Sequence, residues 1–155
     1  MATYMFDTDQ AIFAKQLRQL GVTVTWVGSP STVTTTALKL AGPALYGSYG
    51  VVDFNKDSSA AAKAFAARYE AAYKLTPDFY ASWAYDAVQV LAGAISEAKS
   101  LEPEKLRRAI LAVKGYVGAE GTYTFDKNGD GLHGYNIVKN NNGTVVFDKH
   151  IDFDD

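Results

Sequence analysis

The spacing of apolar positions changes several times along the chain, and each change predicts an element. Tyr4, Met5 and Phe6 form a short apolar run that predicts a strand, and Asp7 with Gln10 three residues later resembles a capping box that opens a helix. Phe13, Leu17 and Leu20 recur at helical spacing with Lys15, Arg18 and Gln19 between them, and Gly21 supplies the left-handed position that stops the helix. Val22, Val24 and Trp26 then alternate with threonines until Gly28-Ser29-Pro30-Ser31 breaks the strand. Two strands joined through a helix run parallel, so the loop after Val27 falls at the carboxyl edge of the sheet, where open α/β sheets bind ligands.

Residues 34–41 predict a short helix stopped at Gly42-Pro43, and residues 45–54 a strand bent at Gly47 and Gly50. Asp57 or Ser58 is the expected cap of the next helix, whose Phe65, Tyr69 and Tyr73 form a stripe before Pro77 closes the segment. From 80 to 98, apolar and small residues including Tyr80, Trp83, Ala87, Leu91 and Ala94 cover a wide face, the pattern of a largely buried helix. Pro103 suits the first turn of another, with Leu106, Ala109, Ile110 and Val113 facing inward until Gly115. The remainder is β-type: runs at 122–125, 135–139 and 144–147, separated by Gly, Asn and Asp clusters, predict a C-terminal β meander, with Asn140-Asn141-Asn142-Gly143 as a turn. The fold class is α/β, with β-α-β units.

Composition then removes several functions. With 48% hydrophobic and 21% charged residues over 155 positions, the chain can bury a core, and a net charge of −2 gives no broad positive field for a nucleic acid. The absence of cysteine removes disulfides, thiolate nucleophiles and Cys-based metal sites. No apolar run approaches the roughly 20 residues that span a bilayer, and Met1-Ala2-Thr3-Tyr4 has neither the basic nor the apolar region of a signal peptide.

Candidate chemistry is sparse. Asp126-Lys127-Asn128-Gly129-Asp130-Gly131 matches the opening of a calcium loop, but its twelfth position is Ile137 where a bidentate Glu is needed, so an Asx and Gly turn is the expectation. His133 and His150 have no second ligand at metal spacing and read as surface residues; no cofactor is implied. No G-x-S-x-G elbow is present, and Gly47-Ser48-Tyr49-Gly50 lacks the Lys-Ser/Thr of a phosphate loop. A cleft holding a small molecule needs apolar walls with a few aimed polar groups, which the aromatics near strand ends and Ser29, Ser31, Tyr80 and Ser82 can provide.

Three stretches carry a family likeness: residues 13–21 (FAKQLRQLG), residues 26–31 (WVGSPS), and Leu40-Ala41-Gly42 with Tyr46-Gly47. It continues through Tyr69, through Tyr85-Asp86-Ala87-Val88 and through Gly118-Ala119-Glu120-Gly121 leading into residues 125–130 (FDKNGD). In order and spacing these resemble the C-terminal portion of the leucine/isoleucine/valine-type periplasmic solute-binding proteins of ABC transporters, which have the type I periplasmic-binding-protein fold. The resemblance implies a partial chain of a periplasmic or extracytoplasmic protein. It would put residues 1–45 in the second lobe, 46–118 in the first, and 119–155 in strands returning to the second, with open edges that invite a homodimer or domain swap.

By the same resemblance, Phe6 matches a strand-end aromatic that contacts ligand, and Tyr80 an aromatic lining the cleft at the start of the buried helix. The family's amino-acid binders pair the ligand ammonium with an acidic residue in the loop after the second strand. Here that position is Pro30, between Ser29 and Ser31. A buried ammonium without a carboxylate is costly, so either Asp7 substitutes from the neighbouring strand end or the ligand is a related small carboxylate or aromatic compound. The implied activity is binding between two lobes without a chemical step, and the implied partners are a small-molecule ligand and a membrane permease. A sensory domain of the same fold is the alternative, followed by a small α/β enzyme.

Overall fold

The computed structural model describes residues 1–152, and the last three residues of the expected return segment lie outside them. The described chain forms two compact units, one from residues 1–53 and 135–151, the other centred on residues 54–134.

The first unit is a five-stranded mixed sheet with helices packed on it. Strand β1 (Ala2–Thr3) leads into helix α1 (Asp7–Gln19), strand β2 (Val27–Gly28), a 3₁₀ turn (Pro30–Val33), helix α2 (Thr35–Ala41) and strand β3 (Tyr49–Val52). Strands β7 (Tyr135–Asn141) and β8 (Thr144–Ile151) complete the order β1-β2-β3-β7-β8. The first three run parallel and the last two antiparallel.

Several elements are shorter than the sequence pattern predicts. Tyr4, Met5 and Phe6 are not strand: β1 stops at Thr3, opposite Gly28, because β2 ends there and leaves the next residues without a ladder. The alternating 22–26 segment is likewise outside the sheet; the Val22 N–H closes the end of α1 on the Leu17 carbonyl, while its own carbonyl accepts from Arg18. Gln10 does not complete a capping box. Its side chain is fully buried and donates to Thr3 Oγ1 at 3.1 Å, and Trp26 Nε1 donates to the same oxygen at 2.8 Å. Trp26 also stacks edge-on against Phe13 at 5.7 Å, over a core of Ala11, Ala14, Ala37, Ala41 and Leu45. Thr34 caps α2 through the Ala37 N–H.

The β7–β8 hairpin closes on Asn142 and Gly143, with φ of 53° and 92°, the paired left-handed conformations of a type I′ turn. Asn140 and Asn136, both fully buried on β7, bond to the carbonyls of Leu45 and Asp53. His150 is held against Asn136 Oδ1 at 2.8 Å.

The second unit holds helices α3 (Ala60–Tyr73), α4 (Phe79–Ala98) and α5 (Pro103–Leu111) and a small antiparallel sheet of β4 (Tyr116–Val117), β5 (Thr122–Phe125) and β6 (Gly131–Leu132). The β-type C-terminal runs are thus divided, 122–125 in this sheet and the other two in the five-stranded one. Ser59, rather than Asp57 or Ser58, caps α3, because Asn55 engages Asp57 and Ser58 in a turn of its own. Phe54, Phe65, Phe79 and Ala119 form the core, joined by Tyr69 and Tyr85.

Asp86 ties this unit together. Its carboxylate is 2% exposed and accepts the N–H groups of Ala119 at 2.9 Å and Glu120 at 3.0 Å. A β-carbon on Gly118 would lie 2.5 Å from the same carboxylate, so the tight approach depends on glycine there. The Asp126–Gly131 segment is an Asx turn between β5 and β6: Asp126 Oδ1 accepts from the N–H of Asn128 and of Asp130. The bond from Asp130 leads the causes that hold the Asp126 carboxyl below its ordinary pKa.

Three outcomes follow from these contacts. A β-carbon at Gly28 would come within 1.8 Å of Thr32 Oγ1, so Gly28→Ala should cost about 1–3 kcal/mol in urea unfolding. Asp86→Ala, which leaves two buried N–H donors without acceptors, should cost roughly 2–4 kcal/mol, and Asp86→Asn less because its amide oxygen still accepts. Asp126 should titrate below the usual carboxylate range by NMR; its support of the turn is complete above the unfolded-state pKa and disappears as pH falls through the lowered folded value.

Candidate functional site

The carboxyl ends of β1 and β2 lie in the first unit and bring together five of the six residues singled out from sequence. Phe6 is the residue before α1 and is 74% exposed, an aromatic ring displayed rather than packed. Asp7 opens the helix, where the positive end of the helix dipole favours its negative charge. Ser29, Pro30 and Ser31 form the start of the 3₁₀ turn, in which Pro30 serves as a first-turn residue with no N–H to satisfy. Ser29 ties the two loops: its hydroxyl donates to the Met5 carbonyl at 3.0 Å and its N–H to the Thr3 carbonyl at 3.0 Å. Ser31 is buried, with its carbonyl facing the Thr34 hydroxyl.

Two polar atoms at these strand ends stand apart. Asp7 Oδ1 and Thr32 Oγ1 are buried, and neither has a hydrogen-bond partner among the described residues. Buried polar atoms are nearly always satisfied, and an unsatisfied one costs about 1–3 kcal/mol, so these two oxygens are open to a group outside the described residues, a water or a small molecule. Sequence reading missed Thr32, one of several threonines in 32–36 with nothing to distinguish it.

Tyr80 belongs to the second unit. It sits in the first turn of α4, 46% exposed, with its ring 4.1 Å from that of Phe79. Ser82, also proposed as a cleft hydroxyl, is instead spent internally: fully buried, it donates to Glu120 Oε1 at 2.8 Å and to the Phe79 carbonyl. The reason is helical spacing, which turns position 82 to the inner face when position 80 faces out. Tyr123 donates to the other Glu120 oxygen, extending the chain of bonds from buried Ser82 to half-buried Tyr123. Burial raises the pKa of the nearby Tyr116 hydroxyl, with the charge of Asp86 adding to the effect. His133 lies against the Tyr123 ring at 5.0 Å and bonds to the Gly134 carbonyl, so it is half-buried rather than a free surface residue.

The strand ends of the first unit carry a carboxylate and a threonine hydroxyl without internal partners and an exposed aromatic ring, groups that suit recognition of a small polar molecule. The chain matches the model of the periplasmic binding protein family over residues 2–144. It is similar to the leucine-binding protein LivK of Thermotoga maritima, with 27% identity and a TM-score of 0.90, over 98% of this chain and 44% of that one. The substrate-binding protein LivJ of a Streptococcus pneumoniae branched-chain amino acid transporter, solved with isoleucine, aligns over 97% of this chain and 43% of its own, with 22% identity and a TM-score of 0.84. A solute-binding protein of an R. palustris ABC transporter, solved with benzoate, aligns over 96% of this chain and 42% of its own, with 21% identity and a TM-score of 0.78. The latter two establish likeness of fold, and in all three cases this chain spans less than half the length of the protein it matches. With the family model matched along nearly its whole length, and with a type I fold assembled from β-α-β units, the chain belongs to the periplasmic binding protein family.

Proposed function

We infer that residues 1–155 are the C-terminal part of the substrate-binding component of an ABC importer, one that holds an amino acid or a related small carboxylate or aromatic compound between two lobes and performs no chemical step. The observation that carries this reading is the pair of unpartnered buried oxygens, Asp7 Oδ1 and Thr32 Oγ1, at the carboxyl ends of parallel strands. A binding protein gains affinity by leaving such groups for its ligand to satisfy. The first compact unit then corresponds to part of the second lobe and the second unit to part of the first. Location outside the cytoplasmic membrane, and delivery to a membrane permease, go with that role.

Phe6, Asp7, Ser29, Pro30, Ser31 and Tyr80 are the proposed contacts. Because Pro30 offers no charge, Asp7 is the group in this set able to pair with a ligand ammonium. The ligands named with the related structures, isoleucine and benzoate, divide on this point: one carries an ammonium and the other does not.

The isolated chain has only part of the cleft, and binding should be weaker than micromolar. Titration with leucine, isoleucine and benzoate at millimolar concentration, followed by amide NMR, should shift Phe6, Asp7, Ser29 and Ser31 in the first unit. Asp7→Asn should weaken binding of an ammonium-bearing ligand roughly tenfold, the loss of one charge-assisted hydrogen bond, and leave benzoate unaffected. Shifts clustered elsewhere, or none for any of the three, would overturn the assignment.

A further inference from the structure

The sequence holds two Asn-Gly steps, Asn128-Gly129 and Asn142-Gly143, each in a turn between antiparallel strands. In such a step the main-chain nitrogen of the glycine attacks the asparagine side chain, because glycine has no β-carbon to hinder the approach. The glycine N–H gives up its proton, a bond forms from that nitrogen to Cγ of the asparagine, and the bond from Cγ to Nδ2 breaks, so that ammonia leaves with the proton. Water then opens the cyclic imide at either carbonyl. The product is an aspartate or an isoaspartate, in which the main chain runs through the side-chain carbon.

The two steps differ in what restrains them. At Asn128-Gly129 one residue engages both reacting groups: Asp126 Oδ2 accepts from Asn128 Nδ2 at 3.1 Å, and the Asp126 carbonyl accepts from the Gly129 N–H at 3.2 Å. Asp126 Oδ1 also accepts from the Asn128 N–H at 2.8 Å. The amide that must depart is anchored, and the carboxylate beside it opposes negative charge on the attacking nitrogen.

At Asn142-Gly143 only the nucleophile is held. Asn142 is exposed, and its side-chain amide has no hydrogen-bond partner among the described residues. The Gly143 N–H donates to Asn140 Oδ1 at 2.7 Å. Asn140 is itself fixed: fully buried, it donates through Nδ2 to the Leu45 carbonyl at 3.0 Å, and its main chain bonds to Ser48 and Gly47. A neutral amide oxygen accepts a hydrogen bond but does not take up the proton, so the nitrogen must leave Asn140 before solvent can deprotonate it.

We propose that Asn142 is a site of spontaneous deamidation in this chain, with ring closure through the Gly143 nitrogen, and that buried Asn140 governs the rate by holding that nitrogen's proton. The product adds a negative charge to an exposed turn. In the isoaspartate form it also adds a main-chain atom between Asn141 and Thr144, which face each other at the end of the β7–β8 ladder. A two-residue type I′ turn has no room for that atom, so the Gly143 bond to Asn140 is lost with it. The claim is independent of which ligand the strand ends bind.

The test is to age the folded chain at mildly alkaline pH in water labelled with the heavy oxygen isotope and to map its peptides by mass spectrometry, with an isoaspartate-specific methyltransferase reading the isoaspartate share. Label should enter at Asn142 roughly tenfold faster than at Asn128, as expected when one site lacks a bond to a charged acceptor. In urea, where both turns are open, the two sites should react at similar rates. Asp126→Ala should raise labelling at Asn128 roughly tenfold and leave Asn142 as it was. Hydrogen exchange of the Gly143 amide and deamidation of Asn142 begin with loss of the same proton, so Asn140→Ser should raise both together, roughly fivefold. Exchange at Lys139 and Val146, which face each other further along the ladder, should not change. The proposal is overturned by equal rates at the two sites of the folded chain, by label entering first at Asn128, or by an Asn140→Ser chain in which Gly143 exchange and Asn142 labelling do not rise together. If far-ultraviolet circular dichroism shows that Asn140→Ser does not fold, the order of the two sites and the response to Asp126→Ala decide the matter.

Discussion

A polar group removed from water must find a partner inside the protein, and that requirement organises both compact units. In the first, Thr3 Oγ1 gathers Gln10 and Trp26, so a side chain on α1 and one beside β2 are both referred to β1. Asn140 and Asn136 do the same for β7, each bonding to a carbonyl of the segment that contains β3. In the second unit Asp86 receives two consecutive backbone N–H groups and fixes the 118–121 loop against α4. Apolar burial supplies most of the stability but is non-directional; the paired polar groups choose among packings of similar area.

The two strand-end oxygens, Asp7 Oδ1 and Thr32 Oγ1, are the exception, with no hydrogen-bond partner among the described residues. Asp86 and Glu120 are carboxylates too, more deeply buried than Asp7, and both are fully engaged with neighbouring residues. Their role is to hold shape. The likeness to solute-binding proteins has a physical component in the motifs Tyr85-Asp86-Ala87-Val88 and Gly118-Ala119-Glu120-Gly121, which prove to be the two sides of one structural contact.

Much of the architecture was legible from periodicity. The helices, the parallel β-α-β start and the Asn142-Gly143 hairpin all rest on local signals: apolar spacing, glycine at positive φ, proline in a first turn. What was not legible depended on distant partners. The strand pattern at 22–26 and the run at 4–6 are as good as those that pair, yet neither is strand: of the first only Trp26 is bonded by a strand residue, through the Tyr49 N–H, and β1 has ended before the second begins. Gln10 has the spacing of a capping residue, and only the placement of Thr3 draws it elsewhere. Of the site, Ser29 and Asp7 were visible through the loop they occupy, whereas Thr32 shows itself only by what its hydroxyl fails to touch, and Ser82 was misjudged because one helical step separates a displayed side chain from an internal one.

The first unit is discontinuous in sequence: Val52 on β3 pairs with Asn136 on β7 across the whole of residues 54–134. Closing that ladder from a disordered chain would cost the entropy of a long loop, a cost that grows slowly with length but must be met before any pairing rewards it. During synthesis β1 to β3 emerge well ahead of their antiparallel partner, and the helices between can organise in the meantime. Completion of the sheet is consequently a late event, and until β7 arrives the Tyr49–Val52 strand waits with one edge unclosed, the interval in which a chaperone or a wrong strand has its opportunity.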